Sequence, residues 1–263
     1  MVSPAWSVRT ASSDRASLLT PQLCFADLRA LHLNLAGHYK FMHARLANIT
    51  SHFANLSRLS LIDVPILDVA AVFASGDSFP SLQHLIIVRP QFAHPAHPLE
   101  RARSGTSFGP KLRSLVLGQN WQHVLGSRTL SEFTALDSFT IVGSAGGEAG
   151  GFRPLEVMKA PLRRLTLAHA MDEESLLASL KKNLISVSQL GELNILALYS
   201  GSSIGAVRTR EAVLEWARLR GVAVRVRVET EVAGESDLAE LELRVLTGPI
   251  CENPFPFLSS SSP

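Results

Sequence analysis

His94 and His97 stand three residues apart in His94-Pro95-Ala96-His97, with Glu100 close by, the spacing in this chain that best suits a divalent metal. On a helix the pair would share a face, but Pro95 and Pro98 forbid that helix and no further ligand is obvious, so the segment reads as a solvated loop. The run Gly143-Ser144-Ala145-Gly146-Gly147-Glu148-Ala149-Gly150-Gly151 resembles a phosphate cradle in composition only. A phosphate loop ends in Gly-Lys-Ser/Thr at a helix start, whereas Gly151 is followed by Phe152-Arg153-Pro154. For acyl chemistry the Gly-x-Ser-x-Gly elbow is missing, and neither Cys24 nor Cys251 has the electropositive helix start that activates a thiol. Arg29, Arg113, Arg163 and Arg220 recur at equivalent places of a repeat, but they alternate with Ser57, Gln83, Asp137 and Asn194 and lack interleaved aromatics. They read as a solvated rim, not a nucleic-acid stripe. No catalytic residue, cofactor site or metal site is assigned, and the chain reads as non-enzymatic.

Composition bounds the rest. Hydrophobic residues make up 46% and charged ones 18% of 263 residues, enough apolar side chain for a sizeable core. A formal charge of +2, from 25 basic and 23 acidic residues, gives no strong electrostatic reason to bind nucleic acid or an anionic membrane. Two cysteines do not make a disulfide framework, and neither a signal peptide nor a long apolar run is visible. The expected setting is reducing, cytoplasmic or nuclear.

The elements that must position any site come from one spacing, Phe-x-x-Leu-x-x-Leu-x-Leu. It is clearest in Phe79-Pro80-Ser81-Leu82-Gln83-His84-Leu85-Ile86-Ile87 and recurs at Phe25/Leu28/Leu31/Leu33, Phe53/Leu56/Leu59/Leu61, Gly109/Leu112/Leu115/Leu117, Phe133/Leu136/Phe139/Ile141 and Lys159/Leu162/Leu165/Leu167. Two further matches are Leu190/Leu193/Leu196/Leu198 and Trp216/Leu219/Val222/Val224. About eight units at a period of roughly 24 to 31 residues point to leucine-rich repeats. The predicted fold is an α/β leucine-rich-repeat solenoid, with a curved parallel sheet on the concave side and helices and loops on the convex side. Residues 21–248 form it, 1–20 are a disordered leader or the stump of a further domain, and 249–263 are a flexible tail.

Between strands, a weak helical stripe runs through residues 37–53 and a short helix through Leu67–Phe73. Residues 91–109 form an irregular convex loop. The strongest helix signals are Asp172–Lys182, acidic at its start and basic at its end, and Thr209–Leu219, capped by Thr209 and stopped by Gly221. Val222–Val228 alternates as a half-exposed strand, and Leu238–Leu246 is a closing strand whose Glu240, Glu242 and Arg244 protect the edge. Only the fourth unit carries an asparagine, Asn120, after its strand, so the turns elsewhere need other partners.

Period-two alternation places the leucines inside and the residues between them on the concave face. Ile62, Ile86, Val88, Val116 and Val142 would form an aliphatic band with Thr140. His32, Arg58 and His84 flank it on one side, and Arg164 and Tyr199 on the other. Such a patch suits a protein partner. The competing reading is that other segments cover the band, or that β propensity alone selected its valines.

The Phe-x-x-Leu-x-x-Leu-x-Leu units of irregular length, the convex loops and the ending Trp216-Ala217-Arg218-Leu219-Arg220-Gly221-Val222 resemble the leucine-rich C-terminal halves of fungal F-box-type proteins over residues 21–248. The resemblance implies a ribonuclease-inhibitor-like fold holding a ubiquitin-ligase substrate. It also implies an adaptor partner wherever an F-box accompanies the repeats. No Leu-Pro-x-Glu-type F-box precedes Phe25, so it carries the partner-binding half only. A free-standing repeat scaffold or inhibitor is the alternative.

Overall fold

Among the described residues, three of the motifs fold as a tight turn leading into a short strand. The first two apolar positions of the motif are three residues apart, the span of one turn. The second position's amide donates to the first position's carbonyl at Phe79/Leu82 (3.2 Å), Gly109/Leu112 (3.4 Å) and Val187/Leu190 (3.2 Å). The computed structural model describes residues 6–9, 28–34, 54–64, 79–90, 109–118, 127–142, 153–168, 173–183, 185–199 and 204–230. The chain divides into two compact units, Met1–Ala135 and Leu136–Pro263.

In the first unit β1 (Trp6–Arg9), β2 (Ala30–Asn34), β3 (Arg58–Ile62), β4 (His84–Val88) and β5 (Ser114–Leu117) pair in chain order, every pair parallel. Their register sets Leu31, Leu59, Leu85 and Leu115 side by side, and likewise Leu33, Leu61, Ile87 and Leu117. All eight are buried, as are Leu28, Leu56, Leu82 and Leu112 from the turns. Burying each such side chain contributes roughly 1.5–3 kcal/mol, so the rows are the core. The leader expected over residues 1–20 contributes β1, with Trp6 opposite Leu31 and Val8 opposite Leu33. Four alternating residues are too few to stand out in a sequence. The helix α1 (Ser127–Glu132) ends the unit and buries Leu130 beside Phe133.

The second unit pairs β6 (Ser138–Val142), β7 (Arg164–Ala168), β8 (Glu192–Tyr199) and β9 (Ala223–Thr230), again all parallel. Helices α2 (Arg153–Val157), α3 (Glu173–Lys182) and α4 (Ile204–Leu219) lie between them in sequence. The α3 helix matches its predicted span within a residue, while α4 starts before Thr209. It ends at Gly221, whose φ of +68° suits a residue without Cβ. Val222 N–H donates to Ala217 O (2.9 Å) and Gly221 N–H to Arg218 O (3.2 Å), the paired bonds of a Schellman cap. Just past the helix, the Arg220 guanidinium sits 5.2 Å from the centre of the buried Trp216 ring.

Two expected alignments are corrected here. Leu165 lies opposite Leu193, and Leu167 opposite Ile195, so the seventh motif is Val187/Leu190/Leu193/Ile195, three residues earlier than expected. Val187 and Leu190 are buried and closed by the turn bond that marks the motif's first leg. In the last motif Val224 and Val226 take the row positions opposite Leu193 and Ile195, and Leu219 is 71% exposed instead of buried.

Neighbouring coils are joined by a repeated backbone link. Arg29 O accepts the amides of Ser57 (2.9 Å) and Arg58 (3.0 Å), Ser57 O those of Gln83 and His84 (both 2.9 Å), and Gln83 O those of Arg113 (2.8 Å) and Ser114 (3.0 Å). In the second unit Asp137 O takes Arg163 and Arg164, Arg163 O takes Gly191 and Glu192, and Gly191 O takes Ala223. The column before the strands is therefore Asp137, Arg163, Gly191 and Val222. Asn194 and Arg220 do not belong to it.

After the strands the turns are held by side chains that differ from coil to coil. Asn183 donates through Nδ2 to Leu155 O and Met158 O (3.3 Å) and accepts from Ser186 N–H at 3.2 Å, while Ser186 Oγ donates to Met158 O at 2.7 Å. In the first unit Asp63 and Arg89, one residue past β3 and β4, both have left-handed φ, 54° and 47°. Arg89 Nε and Nη2 clamp the Asp63 carboxylate at 3.1 and 2.9 Å. This pair holds two corners that cost about 1–2 kcal/mol each for residues with a Cβ. Arg89→Ala and Arg89→Gly both remove the clamp but differ in backbone strain. Urea unfolding should find the glycine variant about 1 kcal/mol more stable, reversing the usual preference for alanine.

Candidate functional site: the strand face between the leucine rows

The residues that alternate with the leucines fall into columns set by register. His32, Ser60, Ile86 and Val116 face one another in the first unit. Thr140, Thr166, Asn194 and Arg225 do so in the second. One column toward the strand starts stand Ala30, Arg58, His84 and Ser114, and separately Ser138, Arg164, Glu192 and Ala223. Beyond the central column are Ile62 with Val88, and Val142 with Ala168.

The expectation that this face meets solvent is corrected. His32, Ser60, Ile62, Ile86, Val88, Val116 and Thr140 are at most 5% exposed, so the aliphatic band is buried along with the leucine rows. A parallel sheet covered on both faces is the common arrangement, and each buried Ile or Val contributes about as much as a leucine opposite it. Alternation in sequence identifies which residues share a face, not whether that face is covered. Of the expected contact residues, Arg58, His84 and Arg164 keep partial exposure at the strand starts. Val142 pairs in register with Ala168 and Tyr199 with Thr230. The three-residue correction moves Tyr199 to the alternation of Leu193 and Ile195, out of the expected contact column.

The polar members of the second unit are bonded to one another. Asn194 Nδ2 donates to Thr166 Oγ1 at 3.3 Å inside the face. Arg164 Nε donates to Glu192 Oε2 at 2.8 Å, and Arg225 Nη1 stands 3.5 Å from Glu192 Oε1. Burial raises the Glu192 carboxyl, but the hydrogen bonds from Arg164 and Asn194 and the charges of Arg164 and Arg225 outweigh it. The carboxyl is held below its ordinary value of 4.5. A depressed carboxyl contributes stability above its unfolded value and loses it as pH falls through the folded one. Wild type should lose part of its stability on acidification below about pH 4.5, and Glu192→Gln should lose less. Thermal melts across that range measure the difference, and equal pH slopes in the two proteins would count against the pairing.

Among the described residues no group of three or more His, Cys, Asp or Glu is placed to hold a metal ion. No described helix is long and apolar enough to cross a membrane. His94 and His97, the glycine run 143–151, Cys24, Cys251, Asn120, the segments 37–50 and 65–78, the closing strand 238–246 and the tail all lie outside the described residues. So does the loop 91–109 except Gly109, which opens a 3-10 turn with Pro110 and Lys111. The sequence matches no protein-family model and no curated protein.

Proposed function

We propose that the chain is a leucine-rich-repeat solenoid acting as a non-enzymatic protein-binding module, and that it resembles the substrate-holding part of an F-box-type ubiquitin-ligase receptor. The observation that carries this reading is the repeated link between coils, a single carbonyl receiving two amides of the next coil, beside in-register leucine rows. Such stacking presents one side chain per strand at a fixed spacing of about 4.8 Å, a surface suited to an extended or flat macromolecular partner. Arg58, His84 and Arg164 are the expected contact residues that remain accessible, and the buried Ile86 and Val116 hold their strands in place.

Affinity capture from the source cells tests the proposal. The full chain should retain a protein in stoichiometric amount, and Arg58→Glu with His84→Glu should release it. Adaptor and cullin in the same eluate support the ligase reading, and one stable partner without them supports the scaffold or inhibitor reading. Retention of no protein, or equal retention by the variant, refutes the binding role.

A further inference from the structure

The last strand of the second unit, β9, is paired along one side. All eight of its residues lie in parallel register with β8, from Ala223 opposite Glu192 to Thr230 opposite Tyr199, and among the described residues no strand follows on the other side. The leucine row, closed elsewhere, stays open here. Leu165 and Leu193 are 0% exposed, whereas Val224, next in that row, is half-buried, and Ala223 and Arg225 beside it are exposed. An edge strand directs main-chain donors and acceptors outward along its whole length, and a repeat array needs a cap at its ends. Alternation puts Arg225, Arg227 and Glu229 on one face, at the register positions of Asn194, Leu196 and Leu198. There Arg225 shares the Glu192 carboxylate with Arg164. It lies 3.5 Å from that group, against 2.8 Å for Arg164, and its side chain remains 72% exposed.

We infer that β9 pairs antiparallel with β9 of a second copy of this chain, extending the sheet across a two-fold axis at Val228. The run Arg225-Val226-Arg227-Val228-Glu229-Thr230-Glu231 is self-complementary when read against itself in opposite directions. With Val228 opposite Val228 of the second copy, Arg227 falls opposite Glu229 and Arg225 opposite Glu231. The two-fold axis repeats both pairs, as a contact made by the same patch on each copy requires. Strands laid parallel in the same register would instead set arginine against arginine and glutamate against glutamate, which cross-strand pairing disfavours. The second copy thereby gives Arg225 a carboxylate of its own, in addition to the one it shares with Arg164. Residues 238–246 of the same chain, with Glu240 and Glu242, are the competing occupant, and the half-buried Val224 speaks against a cover from within the chain. This contact is independent of the partner-binding role proposed above.

Light scattering after gel filtration of the full chain, run over a range of loading concentrations, tests the inference. The wild type should elute at twice the chain's 28.5 kDa. Arg225→Glu with Arg227→Glu, and separately Glu229→Arg with Glu231→Arg, set like charges opposite one another and should each weaken the dimer about tenfold or more. Mixed in equal amounts, the two variants should recover it, because an acidic strand then meets a basic one. Circular dichroism establishes that each variant is folded. Val228→Cys leaves every charge in place and, under mild oxidation, should cross-link copies well above the background that Cys24 and Cys251 set in the wild type. A monomeric wild type overturns the inference, whether residues 238–246 or another protein then occupies the edge. An undisturbed dimer in both charge variants does the same, as does a mixture of folded variants that stays monomeric. Val228→Cys protein that cross-links no faster than wild type also overturns it.

Discussion

Leu115→Asp yields insoluble protein, or protein without a cooperative melt. Leu115 lies fully buried in the row formed with Leu31, Leu59 and Leu85, and β5 gives it no basic neighbour in that row. The substitution forfeits about 1.5–3 kcal/mol of burial. It also places an unpaired carboxylate where desolvation costs several kcal/mol more. Together these approach the roughly 5–15 kcal/mol that holds a typical domain folded. Leu115→Met, which keeps volume and polarity, should cost less than about 1.5 kcal/mol and stay soluble. A soluble aspartate variant with a sharp thermal transition would show that the leucine row is not the core of the first unit.

The second large effect separates two residues that the spacing pattern treats as equals. Leu193 and Leu219 occupy the same position of the motif when the sequence is aligned on its leucines, so pattern alone assigns them equal costs. The register and burial instead put Leu193 at 0% exposure beside Leu165 and leave Leu219 at 71% on the surface of α4. Leu193→Ala should therefore lose about 2–5 kcal/mol, the range for emptying a packed leucine site. Leu219→Ala should fall within about 0.5 kcal/mol of wild type. Chemical unfolding of the two variants side by side decides the matter, and comparable losses would restore the leucine alignment.

Why the sequence misleads at that point follows from the motif itself. Its first three apolar positions are three residues apart, so a chain that continues with leucines at the same interval matches the motif again when slid by three. Leu190, Leu193, Leu196 and Leu198 offer such a second match, and leucine outweighs the Val187 and Ile195 that occupy the row. In the last coil, Val222 to Val228 alternates so regularly that a slip of two residues leaves the inward face unchanged. Neither ambiguity affects Leu82-x-x-Leu85-x-Ile87 or Leu112-x-x-Leu115-x-Leu117, where the flanking residues offer no alternative, and those strands lie where the spacing predicts.

The opposite face was legible in membership and not in exposure. Ser60, Ile86 and Val116 share a column as alternation requires, yet the same alternation would hold whether or not anything covered them. What sequence does carry is composition: Ile62, Ile86, Val88 and Val116 are too apolar for a surface row to be the sole reading. The ion pairs of Arg163 and Arg164 were not legible in the spacing, because they appear only when register brings Asp137 and Glu192 alongside.

The bond that joins one coil to the next runs chiefly through main-chain atoms, Arg29 O to Ser57 and Arg58, then Ser57 O to Gln83 and His84, with the Ser57 hydroxyl adding a further donor to Arg29 O at 3.1 Å. Because each joint is made by backbone amides, any residue that keeps its N–H can occupy it. Outer arcs can lengthen or shorten, and whole turns can be copied or lost, without rewriting the sequence on either side. A scaffold joined this way tolerates exchange of the residues at its rim while the stacking beneath stays unchanged.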